Sequence, residues 1–142
     1  MKTTLALMIF LMIFGCHNTN LTEKSNSENQ KTFEPNESPE NVMQTIFNAA
    51  KTGELGVLQF LLPPYGQGDT DNDVERLCNL GREGDSISIE QFKEEFKNAK
   101  IVGIPMVSGN EAEVDFVFGH KLERSETMKM QKVGEKWYLM SF

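Results

Sequence analysis

A chain of 142 residues has room for one domain of ordinary size. Its 14 Lys and Arg against 21 Asp and Glu give a net charge of −7. That balance argues against nucleic acid and against polybasic attachment to anionic lipid, both of which need clustered cations.

The chain opens Met1-Lys2-Thr3-Thr4, followed by an unbroken apolar run from Leu5 to Phe14, then Gly15 and Cys16. One cation, a short apolar stretch and a small residue make an export signal. The run is too short for a permanent membrane-spanning helix, which needs about 20 apolar residues. The cysteine after Gly15 resembles the lipobox of bacterial lipoproteins, with Phe14 bulkier than usual at its position. The resemblance implies cleavage after Gly15, acylation of the Cys16 thiol and attachment to the cell envelope, with the outer membrane as the expected location. An ordinary cleaved signal and an uncleaved anchor are the alternatives. Of the two cysteines, Cys16 would then be acylated, so Cys78 could form no intramolecular disulfide and is expected to be a small buried apolar residue. Residues 16–37 are polar, with Leu21 and Phe33 the only large apolar side chains, and read as a disordered tether.

The folded domain is expected over residues 38–142. Ser38-Pro39 is a helix start, a hydroxyl cap followed by proline. Val42, Met43, Ile46, Phe47 and Ala50 recur at helical spacing up to Gly53. A short helix through Leu55, Leu58, Leu61 and Leu62 should end at Pro63-Pro64, and a helical turn is expected at Val74–Cys78. Ser88 and Gln91 have capping-box spacing, opening a helix with Ile89, Phe92, Phe96 and Ala99 on one face. From Lys100 the period becomes two. An apolar strand over Lys100–Val107, broken only by Gly103 and Pro105, is followed by strands Glu111–Phe118, Arg124–Val133 and Lys136–Phe142. Turns at Ser108-Gly109-Asn110 and Gly134-Glu135 and a looser connection over Gly119–Glu123 join them, which predicts an antiparallel meander. Helices first and strands last define an α+β domain, with the helices packed on one face of a curved antiparallel sheet.

Ser38-Pro39-Glu40, Gly53-Glu54 and Gly134-Glu135-Lys136-Trp137-Tyr138-Leu139, in this order of elements, resemble the nuclear-transport-factor-2-like superfamily, in particular its small bacterial lipoprotein domains of unknown function. The resemblance covers residues 38–142, with 65–84 least like the family and reading as an insertion. It implies a cone-shaped, cystatin-like sheet with a cavity at its mouth. Members include isomerase- and cyclase-like enzymes as well as non-catalytic binding modules.

Candidate chemistry is sparse. Phe92, Phe96, Phe116, Phe118 and Trp137 have core spacing, and some could line a ligand cavity. Asp115 is the strand aspartate that an isomerase would use as base, but alternation aims it away from Phe116, and neither Tyr65 nor Tyr138 brings it a placed hydroxyl. The stretch Asp69 to Glu75 begins like an EF-hand, then fails where Gly and a bidentate Glu are needed, at Val74 and Leu80. It reads better as an acidic loop capping the helix that follows. His17 and His120 suggest no metal cluster, and no cofactor motif is readable. The expectation is an envelope-anchored lipoprotein, attached to the membrane through Cys16, with a non-catalytic domain that binds a small apolar ligand, a peptide or another envelope protein. The alternatives are an isomerase- or cyclase-like enzyme and a purely structural accessory lipoprotein.

Overall fold

The computed structural model describes residues 33–142; the signal and Cys16 lie outside them, as does most of the tether. Helices come first: α1 (Pro39–Thr52), a 3-10 helix (Leu55–Leu61), α2 (Asn72–Glu83) and α3 (Ser86–Phe96). Five strands follow, β1 (Lys100–Ile101), β2 (Met106–Ser108), β3 (Glu111–Phe118), β4 (Arg124–Val133) and β5 (Lys136–Ser141). The fold is α+β.

Local chemistry explains the helix ends. The Ser38 hydroxyl accepts from the Asn41 N–H, and Gly53 closes α1 in the left-handed region at φ 78°, which glycine adopts without penalty. α2 is far longer than the single turn expected at Val74–Cys78. Asp71 caps it by accepting from the Val74 N–H at 2.8 Å, and Leu77 and Leu80 carry the buried face another turn. α3 starts at Ser86, because the Asp85 carboxylate caps it through the Ser88 N–H at 2.7 Å. Ser88, expected as the cap, supplies the capped donor instead.

The strands pair antiparallel, with β3 between β4 and an edge shared by β1 and β2, and β5 beyond β4. Ala112, Val114, Phe116 and Phe118 of β3, Met128 and Met130 of β4, and Trp137 and Leu139 of β5 all face inward. Against them pack Val42, Met43, Ile46 and Phe47 of α1, Leu58 and Leu61, Val74 and Cys78 of α2, and Phe92 and Phe96 of α3. The segment 65–84 is part of this core: α2 lies so tightly on the 3-10 helix that a Cβ on Gly81 would meet the Leu55 backbone at 2.9 Å.

Two boundaries differ from the sequence reading. The fold already includes residues 34–37, through Trp137 N–H donating to the Asn36 carbonyl at 2.8 Å and Asn41 Nδ2 donating to the Glu34 carbonyl at 3.0 Å. The expected strand Lys100–Val107 is two short strands. Gly103 at φ 74° and Pro105, which has no N–H to give a ladder, break it: Val102 still donates to the Asp115 carbonyl of β3 at 2.8 Å, and pairing resumes only at Met106.

Candidate functional site

The five aromatic residues expected as cavity lining are all buried side chains. Phe96 sits at the centre of a stack, 5.2 Å from Phe92, 6.1 Å from Phe116 and 5.1 Å from Phe118. Phe47 of α1 approaches Phe116 at 6.3 Å. Arg124 lies 4.3 Å over the Phe118 ring and pairs with Glu95 at 3.2 Å, closing that end of the stack. These rings fill the space between α1, α3 and the sheet. Trp137 packs under β5 against the same core.

Phe92 and Phe96 also line a groove of about 800 Å³ between α2 and α3. Leu77, Leu80 and Phe142 complete its floor, and Asp73, Glu75, Glu83, Asp85 and Glu95 stand around it, with Arg76 the only cation lining it among the described residues. Two N-terminal caps help build this rim. Asp71 holds α2 and also accepts from the Phe142 N–H at 3.3 Å, pinning the last residue against the groove. The Asp85 carboxyl is held below its usual range by the hydrogen bond from Ser88. This settles the acidic loop: Asp71 caps α2 and Asp73 pairs with Arg76 at 3.8 Å. Among the described residues no group of three or more His, Cys, Asp or Glu is arranged to hold a metal ion.

Asp115 is exposed on the outer face of the sheet, where it accepts from the Thr127 hydroxyl at 2.6 Å. Tyr65 is fully exposed, and Tyr138 pairs with Gln131, well along β4 from Thr127. Sequence alternation thus placed Asp115 correctly, and the structure brings neither tyrosine to it. Cys78 is buried in the core, and burial pushes its thiol up to about 12. His120 is exposed in the β3–β4 loop, near Glu94 and Glu123.

No family model matches the chain, and no curated protein does. A solved structure, the solution structure of a SEC-C motif containing protein from Rhodopseudomonas palustris, is similar with a TM-score of 0.46 and 17% identity, over 72% of this chain and 75% of that one. The resemblance to the nuclear-transport-factor-2-like superfamily is therefore withdrawn, because no family model supports it. The residues that carried the resemblance explain the error. Ser38-Pro39 is a helix cap, Gly53 a helix stop and Gly134 a hairpin turn, devices that many α+β chains need.

Two surface features were not read from the sequence. The groove draws its rim from separate helices. The second is the apolar edge at residues 102–107, which reads as a buried strand until Gly103 and Pro105 are given their full weight.

Proposed function

We propose that this protein is an envelope lipoprotein, anchored through Cys16, whose domain is a non-catalytic module that binds a partner protein on its surface. The supporting observation is the α2–α3 groove, with an aromatic floor and a rim carrying five carboxylates against one arginine. Such a groove suits a segment that offers an apolar side chain flanked by Lys or Arg, the acids providing orientation and the floor a site for burial. A small apolar ligand in the interior is less well supported, because the aromatic stack occupies that space.

The test is a pull-down with the full chain from detergent-solubilised membranes, comparing wild type with Asp73→Lys/Glu83→Lys. Both positions are exposed, so the fold should be retained, with a loss of about 1 kcal/mol or less from the Asp73–Arg76 pair and the reversed charge at the start of α2, checked by urea unfolding. The reading expects one envelope protein to be enriched by the wild type and lost from the variant. Equal recovery by both would remove the groove from the account.

A further inference from the structure

Four large apolar side chains stand in solvent along one short stretch: Val102 at 49% exposure, Ile104 at 89%, Met106 at 62% and Val107 at 56%. They lie on β2 and the excursion before it, at the outer edge of the sheet beside β3. An open sheet edge usually invites a further strand. Here Gly103 and Pro105 interrupt the edge and leave β1 and β2 only two and three residues long, so it offers little ladder and mainly side chains.

Next to this apolar edge the fold gathers cations. Lys51 from the end of α1, Lys97 and Lys100 from the α3–β1 corner, and His120 and Lys121 from the β3–β4 loop line one cleft of about 440 Å³, with no acid among its lining residues. Glu94 pairs with Lys97 at 2.6 Å, and Glu123 faces His120. Lys51, Lys100 and Lys121 have no ion-pair partner among the described residues, although acids outnumber cations in the chain. Lys100 begins the strand that runs into Val102, so the cationic cleft adjoins one end of the apolar edge, while Met106 and Val107 at its other end line a pocket with Glu111, Glu113 and Lys129. Net charge conceals this patch because its lysines come from separate segments.

We propose that this edge seats the domain on a bilayer surface carrying anionic headgroups, with Val102, Ile104 and Met106 entering the headgroup–acyl boundary and Lys100 and Lys121 meeting lipid phosphates. This rests on the lipid-anchored reading above. Apolar side chains beside lysines whose stems can lie along the interface are the pairing that such a surface recognises. The acidic α2–α3 rim is repelled by the same headgroups, which fixes an orientation. The sixteen residues between Cys16 and Phe33 span at most about 55 Å, so an anchored chain holds the edge within reach and a weak contact suffices.

The test uses the full chain purified from membranes and reconstituted into vesicles of brominated phosphatidylcholine and phosphatidylglycerol. It carries Ile104→Trp as a fluorescent reporter at an exposed position, and Tyr65→Trp in a parallel sample as the control. The proposal expects bromine quenching of the reporter at 104 and none at 65. Omitting phosphatidylglycerol or raising salt to about 1 M should relieve the quenching, and Lys100→Glu should weaken the seated state by about fivefold or more. A protein that floats with the vesicles but shows no quenching at 104 overturns the seating alone. A protein that does not float overturns both the seating and the anchor. Quenching indifferent to phosphatidylglycerol, salt and Lys100→Glu overturns the role given to the lysines.

Discussion

Residues 100–107 and 111–118 are adjacent octets in one sheet, and they behave in opposite ways. The first, Lys-Ile-Val-Gly-Ile-Pro-Met-Val, is the more hydrophobic, yet most of its apolar side chains end in solvent. The second, Glu-Ala-Glu-Val-Asp-Phe-Val-Phe, carries three acids, yet buries Ala112, Val114, Phe116 and Phe118 to within 2% of complete. Alternation gives the second octet a dry face and a wet face, which a sheet with helices on one side can use. The first lacks that division, and Gly103 and Pro105 release it from the ladder. Periodicity decides burial here, and hydrophobicity alone does not.

The largest expected effect is at the centre of the ordered octet. Phe116→Ala removes a ring that touches Phe47, Phe96 and Phe118 and should cost about 3–5 kcal/mol in urea unfolding. By contrast, Ile104→Ala should change stability by no more than about 0.5 kcal/mol. A large loss at Ile104 would mean that the apolar edge serves the fold, and the comparison would break.

Helix α2 extends the comparison to a part of the chain that looked weakly structured. Asp71→Ala removes both the cap on Val74 and the acceptor for Phe142, and should cost about 1–2 kcal/mol. Chain unfolding that stays unchanged would make the cap ornamental. A smaller effect, about 1 kcal/mol, is expected for Gly103→Ala, which forces a side chain into φ 74° where nothing nearby would clash. That variant separates backbone conformation from packing as the cause of the broken strand.

Cys78 gives a pH-dependent test of the same interior. Burial pushes its thiol up to about 12 from an ordinary 9.0. Below pH 9 both states keep the proton and nothing changes. Between 9.0 and about 12 the unfolded thiol ionises and the folded one does not, so stability should fall as pH rises through that window. Alkylation at pH 8 should modify Cys78 only after unfolding, as mass spectrometry would show. Rapid native modification would contradict its burial.

Much of the fold was legible because caps and turns act locally. Ser38, Gly53, Gly109 and Gly134 stand where the sequence placed them, and β3 and β4 have the expected bounds. The start of α3 was misread because Asp85, three residues before Ser88, already supplies a cap: its carboxylate accepts from the Ser88 N–H and starts the helix at Ser86. The surface features were not legible for a different reason. The cationic cleft joins α1, the α3–β1 corner and the β3–β4 loop, and the groove joins two helices and the C-terminal residue. Neither has a period or a motif, because both are products of tertiary packing.

Hydrogen–deuterium exchange of the full chain, in detergent and then in vesicles of its native envelope lipids and proteins, tests most directly whether the molecule works by its surface. The account predicts slowed exchange at residues 100–107 and along α2 and α3, with α1, β3 and β4 unchanged. Slowing centred on α1, β3 and β4 would contradict it, because a ligand would then be entering the interior that the aromatic stack fills.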